Sequence, residues 1–284
     1  MVKIIADSTC DLTKELVEAY EITIVPLHIL LGDKEYRDGT EISSEDIYAW
    51  SDANRTTPKT SAASLEDVLE AMKKILDDQN EIIAFCISEQ MSTNGNVLRM
   101  AAEELNAAEQ VTVIDSRNLS TGIGHLVIEA ALLAKQNKPR QEIVSYIEKI
   151  RPLVRASFVV DTLIYLHRGG RCSGLAAMAG GMLKLHPRIA VTDGVMNAGK
   201  KYRGKLSAVI LNYVKDMETA LRSAKEDRVF ITHSGCDDEI VKEVSDYLKS
   251  LNHFKEIIVT RAGGVISSHC GPGTLGVLFI EKEY

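Results

Sequence analysis

The sequence predicts two α/β domains, residues 1–152 and 153–284, the first a mostly parallel sheet with flanking helices and the second a mixed sheet with helices. Three observations predict it. Short β-rich runs alternate with amphipathic helical stretches through the first half, the pattern of βα units. Pro152 follows the last of these helices and marks a boundary, because proline disfavours helix in the residue before it. Beyond it, strand-like runs continue with a less regular order.

Taken in order, residues 2–6, 22–31, 81–87 and 111–114 read as strands, rich in Val and Ile. Between them, Leu65, Val68, Leu69, Met72, Ile75 and Leu76 recur at helical spacing after Ser64, with Asp67 three residues on, as in a capping box with Asp in place of Glu. Further helices are expected over 13–20, 43–51, 94–105, 120–135 and 140–150. In the second half, 157–160, 188–192, 228–232, 256–260 and 275–280 read as strands, with helices near 173–185, 205–225 and 237–251. No repeat or flexible linker separates the halves, so they should pack closely, with any ligand where they meet.

Hydrophobic residues at 45% and charged residues at 26% fit a packed globular chain and not a disordered one. The net charge of -7 argues against broad attraction to nucleic acid, which needs clustered Lys and Arg. The five cysteines are scattered, without a CxxC pair or local His/Cys spacing; this predicts free thiols in a reducing cytoplasm and no metal site. The start of the chain lacks the basic region and apolar segment of a secretory signal. The charge-free run 262–280 carries repeated Gly, Pro272 and His269, so it is expected to be a loop plus a strand and not a membrane span.

Polar clusters follow the expected strands or open helices, where α/β folds place ligands. They are Asp7-Ser8-Thr9-Cys10-Asp11, Thr57-Pro58-Lys59-Thr60-Ser61, residues 88–94, Asp115-Ser116-Arg117, Arg168-Gly169-Gly170-Arg171 and residues 268–273. Any one alone reads as a helix cap or turn. Residues 271–276 match the letters of a dinucleotide fingerprint, but a strand-like run follows in place of a helix, so the nucleotide reading fails. Walker, HExxH and GxSxG motifs are absent. Ser92 and His269 remain as an alternative: the dyad of a lipid hydrolase or acyltransferase.

In their order and spacing, these clusters resemble the DegV family from end to end. The resemblance rests on Asp7-Ser8 with Cys10-Asp11-Leu12, Val25-Pro26-Leu27, Thr57 to Ser61 with Ser64, and Ile114 to Arg117. It continues through Leu163 to Leu166 with Arg168 to Arg171, then Pro187, Asp193-Gly194, and His269 with Gly271-Pro272-Gly273. It implies two α/β domains that bury one long-chain fatty acid, and a binding subunit, not an enzyme. A separate ATP-dependent fatty acid kinase would phosphorylate the bound acid, and the acyl phosphate would enter phospholipid synthesis. No cofactor is implied beyond the fatty acid. A lipid-sensing regulator with another partner is a further reading.

Carried over by position, the resemblance assigns ligand binding to Thr60, Ser61, Ser92, Thr93, Arg171 and His269, with Arg171 as an orienting charge. It assigns partner docking to Arg203 and Lys201, within the basic group Lys200, Lys201, Arg203 and Lys205, which otherwise reads as a solvated loop. Hydroxyls and an imidazole suit a carboxylate that has lost its water. One departure stands out: the family's Ser-Gly-Thr reads Ser92-Thr93-Asn94 here. Thr93 restricts positive φ and adds a side chain beside the head group. Met91, Met100, Leu163, Ile164, Leu166, Met178, Met182 and Leu183 are candidates for an acyl tunnel, although such residues are more often plain core.

Overall fold

The computed structural model describes residues 1–173 and 185–282. In chain order, the first half runs β1 (Val2–Asp7), α1 (Lys14–Ala19), β2 (Ile22–Val25), β3 (His28–Leu31), β4 (Lys34–Arg37), α2 (Ser44–Asn54) and β5 (Lys59–Ser61). It continues with α3 (Leu65–Leu76), β6 (Glu81–Cys86), α4 (Asn94–Glu104), β7 (Val111–Asp115), α5 (Thr121–Lys135) and α6 (Arg140–Ile150). Next come β8 (Val154–Val159), α7 (Ile164–Gly169), β9 (Cys172–Ser173), β10 (Leu185–Thr192), β11 (Val195–Arg203), α8 (Leu206–Asp216) and α9 (Glu218–Arg222). The chain closes with β12 (Arg228–His233), α10 (Asp238–Ser250), β13 (Glu256–Arg261), α11 (Gly264–Cys270) and β14 (Leu275–Ile280).

Strands β2-β1-β6-β7 form a parallel sheet within residues 2–115. The second sheet, β13-β12-β14-β8-β10-β11-β9, is mixed and lies beyond residue 153. A small antiparallel sheet, β4-β3-β5, completes the set. The expected strand 22–31 is thus two strands in different sheets. Pro26 lies between them, and without an N–H it cannot continue a ladder. Ser64 caps α3 by accepting from the Asp67 amide. The Asp67 carboxylate accepts from the Ser64 hydroxyl and bonds Arg37 and His28, while a reciprocal capping box forms at α2, between Ser43 and Asp46.

Three other expectations are corrected. The run 262–280 contains helix α11 before its strand. The basic group at 200–205 is mostly strand β11 and not a solvated loop. The helix expected over 205–225 breaks into α8 and α9. The helix expected over 173–185 lies outside the described residues, apart from its ends, which sit in β9 and β10. Among the described residues, no helix is long and apolar enough to cross a membrane.

Helix α5 joins the two large sheets. Ten of its residues are buried, as expected of a helix apolar on most sides, and it packs on β1 and β6 of one sheet and on β8 and β14 of the other. One polar group on it, Glu129, accepts from Arg228 on β12 at 2.7 Å and is also bonded by Lys225 and Tyr146. Burial alone pushes this carboxyl up, but Arg228 and Lys225 outweigh burial and hold it below its ordinary value. Removing one member of a buried pair strands the other charge, so Glu129→Ala should lower stability by about 3–5 kcal/mol. A group with a depressed folded pKa stabilises above its unfolded value. Urea titrations should therefore show this difference in full above the ordinary value of 4.5 and show it shrinking as the pH falls below that value. A loss that is constant down to acid would refute the ion-pair account.

Candidate functional site

The fold leaves a cavity of about 420 Å³, within the usual range of small-molecule sites. Its walls come from the three-stranded sheet, the loops after β6 and β7, strand β11 and helix α11. The lining is graded. Ser61, Glu89, Gln90, Thr93 and Arg171 are exposed, and Leu27, Ile87, Met91, Leu119, Met196, Val265, Ile266 and Cys270 are buried. Thr60, Ser92 and His269 are half-buried. All six residues singled out for ligand binding line this one cavity.

Thr60 reaches it from β5 and His269 from the last turn of α11, and Thr60 Oγ1 lies 2.7 Å from His269 Nε2. The other ring nitrogen, Nδ1, is buried and has no hydrogen-bond partner among the described residues. Gly169 packs against it so closely that a Cβ there would collide with the ring. That close approach, with the left-handed Gly170 (φ 67°) that ends α7, gives a physical account of the Arg-Gly-Gly-Arg motif. Arg171 Nη1 then donates to the Gly169 carbonyl at 2.7 Å. Burial first, and the Arg171 charge second, push the His269 imidazole down to about 4. The ring is therefore neutral near pH 7, with one nitrogen a donor and the other an acceptor. When Nε2 carries the proton and donates to Thr60, the threonine hydroxyl is free to donate into the cavity.

Ser92 is set by the loop between β6 and α4. Asp7, at the end of β1, accepts from the Ile87 amide at 2.8 Å and from Asn94 Nδ2 at 2.9 Å. Asn94 Oδ1 accepts from the Ala63 amide at 3.1 Å, so one side chain ties this loop to the segment after β5. The Ser92 hydroxyl accepts from the Asn94 amide at 3.3 Å and donates to nothing among the described residues. Thr93 has φ -88° and ψ 11°, so the position that holds glycine in the family needs no positive φ here, and the substitution is unstrained. Its effect is an added side chain at the exposed rim. His269 bonds Thr60 and not Ser92, so the Ser92–His269 dyad is not formed in this structure.

Lys201 and Arg203 lie outside the cavity, exposed on β11. The register shifts between Pro187 and Ile189, so that Met196, Ala198, Lys201 and Arg203 sit opposite Val191, Ile189, Pro187 and Leu185. Alternate residues of a strand share a face, so the bulge brings both charges onto the face that carries the cavity residue Met196. Lys200 is drawn off instead by Asp216, 2.5 Å away.

Of the described apolar candidates, only Met91 lines the cavity. Met100 and Ile164 are 54% and 50% exposed, Leu163 is half-buried, and Leu166 is core. Met178, Met182 and Leu183 lie outside the described residues. The wall residues overlooked in the sequence neighbour the motifs: Leu27 follows Pro26, and Val265 and Ile266 precede His269 by one helical turn. That spacing becomes visible only once α11 is known to be a helix.

The geometry defines an α/β protein with a cavity that has an apolar interior and, below an exposed polar rim, the uncharged side chains of Thr60, Ser92 and His269. Comparison with known proteins then gives the family. The DegV profile, described as "Uncharacterised protein, DegV family", matches residues 1–282, and the chain belongs to this family. It is 32% identical to a DegV domain-containing protein of Clostridium acetobutylicum and 31% identical to one of Caldanaerobacter subterraneus, covering 99% of both chains in each case. Among solved structures, it is similar to a DegV family protein of Thermus thermophilus described for fatty acid binding (28% identity, TM-score 0.88, 99% of each chain). It is also similar to a stearic acid-binding protein of Eubacterium ventriosum (27%, TM-score 0.86, 99% of each chain).

The imidazole yields a test that needs no ligand. A histidine whose folded pKa is depressed removes stability as pH falls from its unfolded value near 6.5 toward about 4. Selective ring labelling and NMR should therefore find His269 of the ligand-free protein still uncharged at about pH 5.5. A midpoint near the ordinary value would show that the ring is neither desolvated nor influenced by Arg171.

Proposed function

We propose that this chain is a fatty-acid carrier: it buries one long-chain fatty acid in the cavity and presents the carboxylate to a separate ATP-dependent fatty acid kinase for acyl-phosphate formation. The observation that carries the reading is the Thr60–His269 pair, with Ser92 on the same wall, between an apolar interior and a polar rim. A carboxylate only accepts hydrogen bonds and is expensive to bury without donors. Here Thr60, whose hydroxyl His269 frees to donate, and Ser92 supply them, with Arg171, Ser61 and Thr93 at the mouth. The acyl chain lies against Leu27, Ile87, Met91, Met196 and Ile266. Fatty acids named for the solved relatives support the same ligand class. The reading includes two domains meeting near Pro152, a cytoplasmic setting, and products bound for phospholipid synthesis.

Mass spectrometry of an organic extract from the purified protein should find fatty acid near one per chain. Thr60→Val or His269→Ala should weaken binding by about tenfold or more, the size of a lost hydrogen bond to a charged group. Absence of fatty acid, together with no binding on titration, would sink the proposal. Ester turnover by the isolated chain that is abolished by Ser92→Ala would favour the hydrolase reading instead.

Lys201 and Arg203 are the docking residues of this proposal, two exposed cations in an acidic chain, on the face that leads to Met196. Contacts between exposed charges act on association rate and fade with salt. Arg203→Ala should leave fatty-acid binding intact and slow association with the cognate kinase subunit at low salt, with the gap closing at high salt. Equal association at low salt, or loss of the lipid, would remove Arg203 from the interface.

A further inference from the structure

We infer that Asp38 is the positioning residue of the head-group site, bolting the sheet that carries Thr60 to the helix that carries His269. The inference deepens the fatty-acid reading and rests on it for the role of the Thr60–His269 pair. Asp38 directly follows β4, in the small sheet where β3 pairs with both β4 and β5, and Ile29 on β3 sits opposite Thr60. Its amide donates to the Leu27 carbonyl at 2.8 Å. One carboxylate oxygen accepts from Ser8 Oγ at 2.8 Å, and that same hydroxyl accepts from the Leu27 amide at 3.1 Å. Both backbone groups of Leu27, the residue that leads into β3, are therefore tied to Asp38.

Its other oxygen accepts from the Gly264 amide at 2.7 Å, and the nearby Val265 and Gly39 amides further favour the ionised carboxylate. Gly264 and Val265 open α11, whose last turn holds His269. The two bodies touch closely at this point. A Cβ on Gly264 would lie 2.5 Å from Ile29 Cδ1 and 2.9 Å from Ile47 Cδ1, so glycine lets the helix start directly on the residue paired with Thr60. Asp11 grips the preceding amide: Gly263 N–H donates to it at 2.8 Å. Asp38 is 2% exposed and ion-paired to no described residue, so its charge is satisfied by these donors alone. Carboxylates at the first amides of a helix also complement the helix dipole. Asp38 does not line the cavity; it acts through the pair it aligns.

The test uses Asp38→Ala, Asp38→Asn, Thr60→Val and the double variant Asp38→Ala/Thr60→Val. In ligand-free protein, the His269 ring signals report the bond to Thr60 directly. Asp38→Ala should move them as Thr60→Val does, while Asp38→Asn, whose Oδ1 can still accept from Gly264, should restore the wild-type signals. In titrations with stearic acid, each single variant should lose about tenfold in affinity, and the double variant should lose no more than Thr60→Val alone, because residues acting through one contact are not additive. Unchanged ring signals in folded Asp38→Ala, or additive losses near a hundredfold, would overturn the inference. If Asp38→Ala does not fold, Ser8→Ala loosens the same bolt without emptying it; the ring signals should shift, and their failure to do so would equally refute it. The ring measurement stands whether or not the wild type binds stearic acid, so failure of the ligand reading stays distinguishable.

Discussion

Three carboxylates, those of Asp7, Asp11 and Asp38, are almost fully buried, and no described cation pairs with them. Burial pushes all three up, Asp11 to about 8. Such groups persist only where donors replace their water, and the donors come from distant parts of the chain: Ile87 and Asn94, Ser120 and Gly263, Ser8 and Gly264. The site hangs on that constraint. Asp7 fixes the Ser92 loop, and Asp11 and Asp38 fix the helix of His269, so the Asp-Ser-Thr-Cys-Asp motif shapes a cavity whose lining it does not join.

The regular elements were legible because their periodicity is local. Helix α3 shows its apolar stripe and its Ser64 cap in the sequence, and β1, β6 and β7 are short runs of Ile, Val and Ala bounded by turns. What escaped was held by distant partners. Helix α11 begins at Gly264, just after Gly263 at its N-cap, and ends on Cys270, a weak helix former throughout; it exists because Asp11 and Asp38 hold its first amides and Ile29 and Ile47 pack on it. Strand β11 carries Gly199 and adjacent lysines and looks like a loop until β10 is laid beside it. The candidate head-group residues could be carried over from motif order, but their supports could not. Asp38 is a single acid between Arg37 and Gly39, and nothing local distinguishes it from a surface turn.

The described part of the acyl wall was hard to read for a related reason. Leu163, Ile164 and Leu166 invite assignment to a tunnel because they are dense, whereas the described wall is built from single apolar residues beside polar motifs: Leu27, Ile87, Leu119, Val265 and Ile266. Each motif places a polar group at the rim and its neighbour inside, as alternation in strands and i, i+3 or i+4 spacing in helices require. Val265 and Ile266 stand in that relation to His269.

The choice of donors fits the proposed chemistry. An arginine fork would hold a carboxylate bidentately and occupy both of its oxygens, which opposes attack on ATP. Two hydroxyls, one of them oriented by a neutral imidazole, bind more weakly and leave lone pairs free, while Arg171 stays at the exposed mouth with one nitrogen bound to the Gly169 carbonyl. Weak donors, however, hold geometry only if something else does. In this fold that rigidity comes from buried carboxylates one layer behind the site, which can bond strongly because they never touch the ligand. Affinity and alignment are thereby separated: the groups that meet the carboxylate remain mild, and those that fix their positions are buried acids out of its reach.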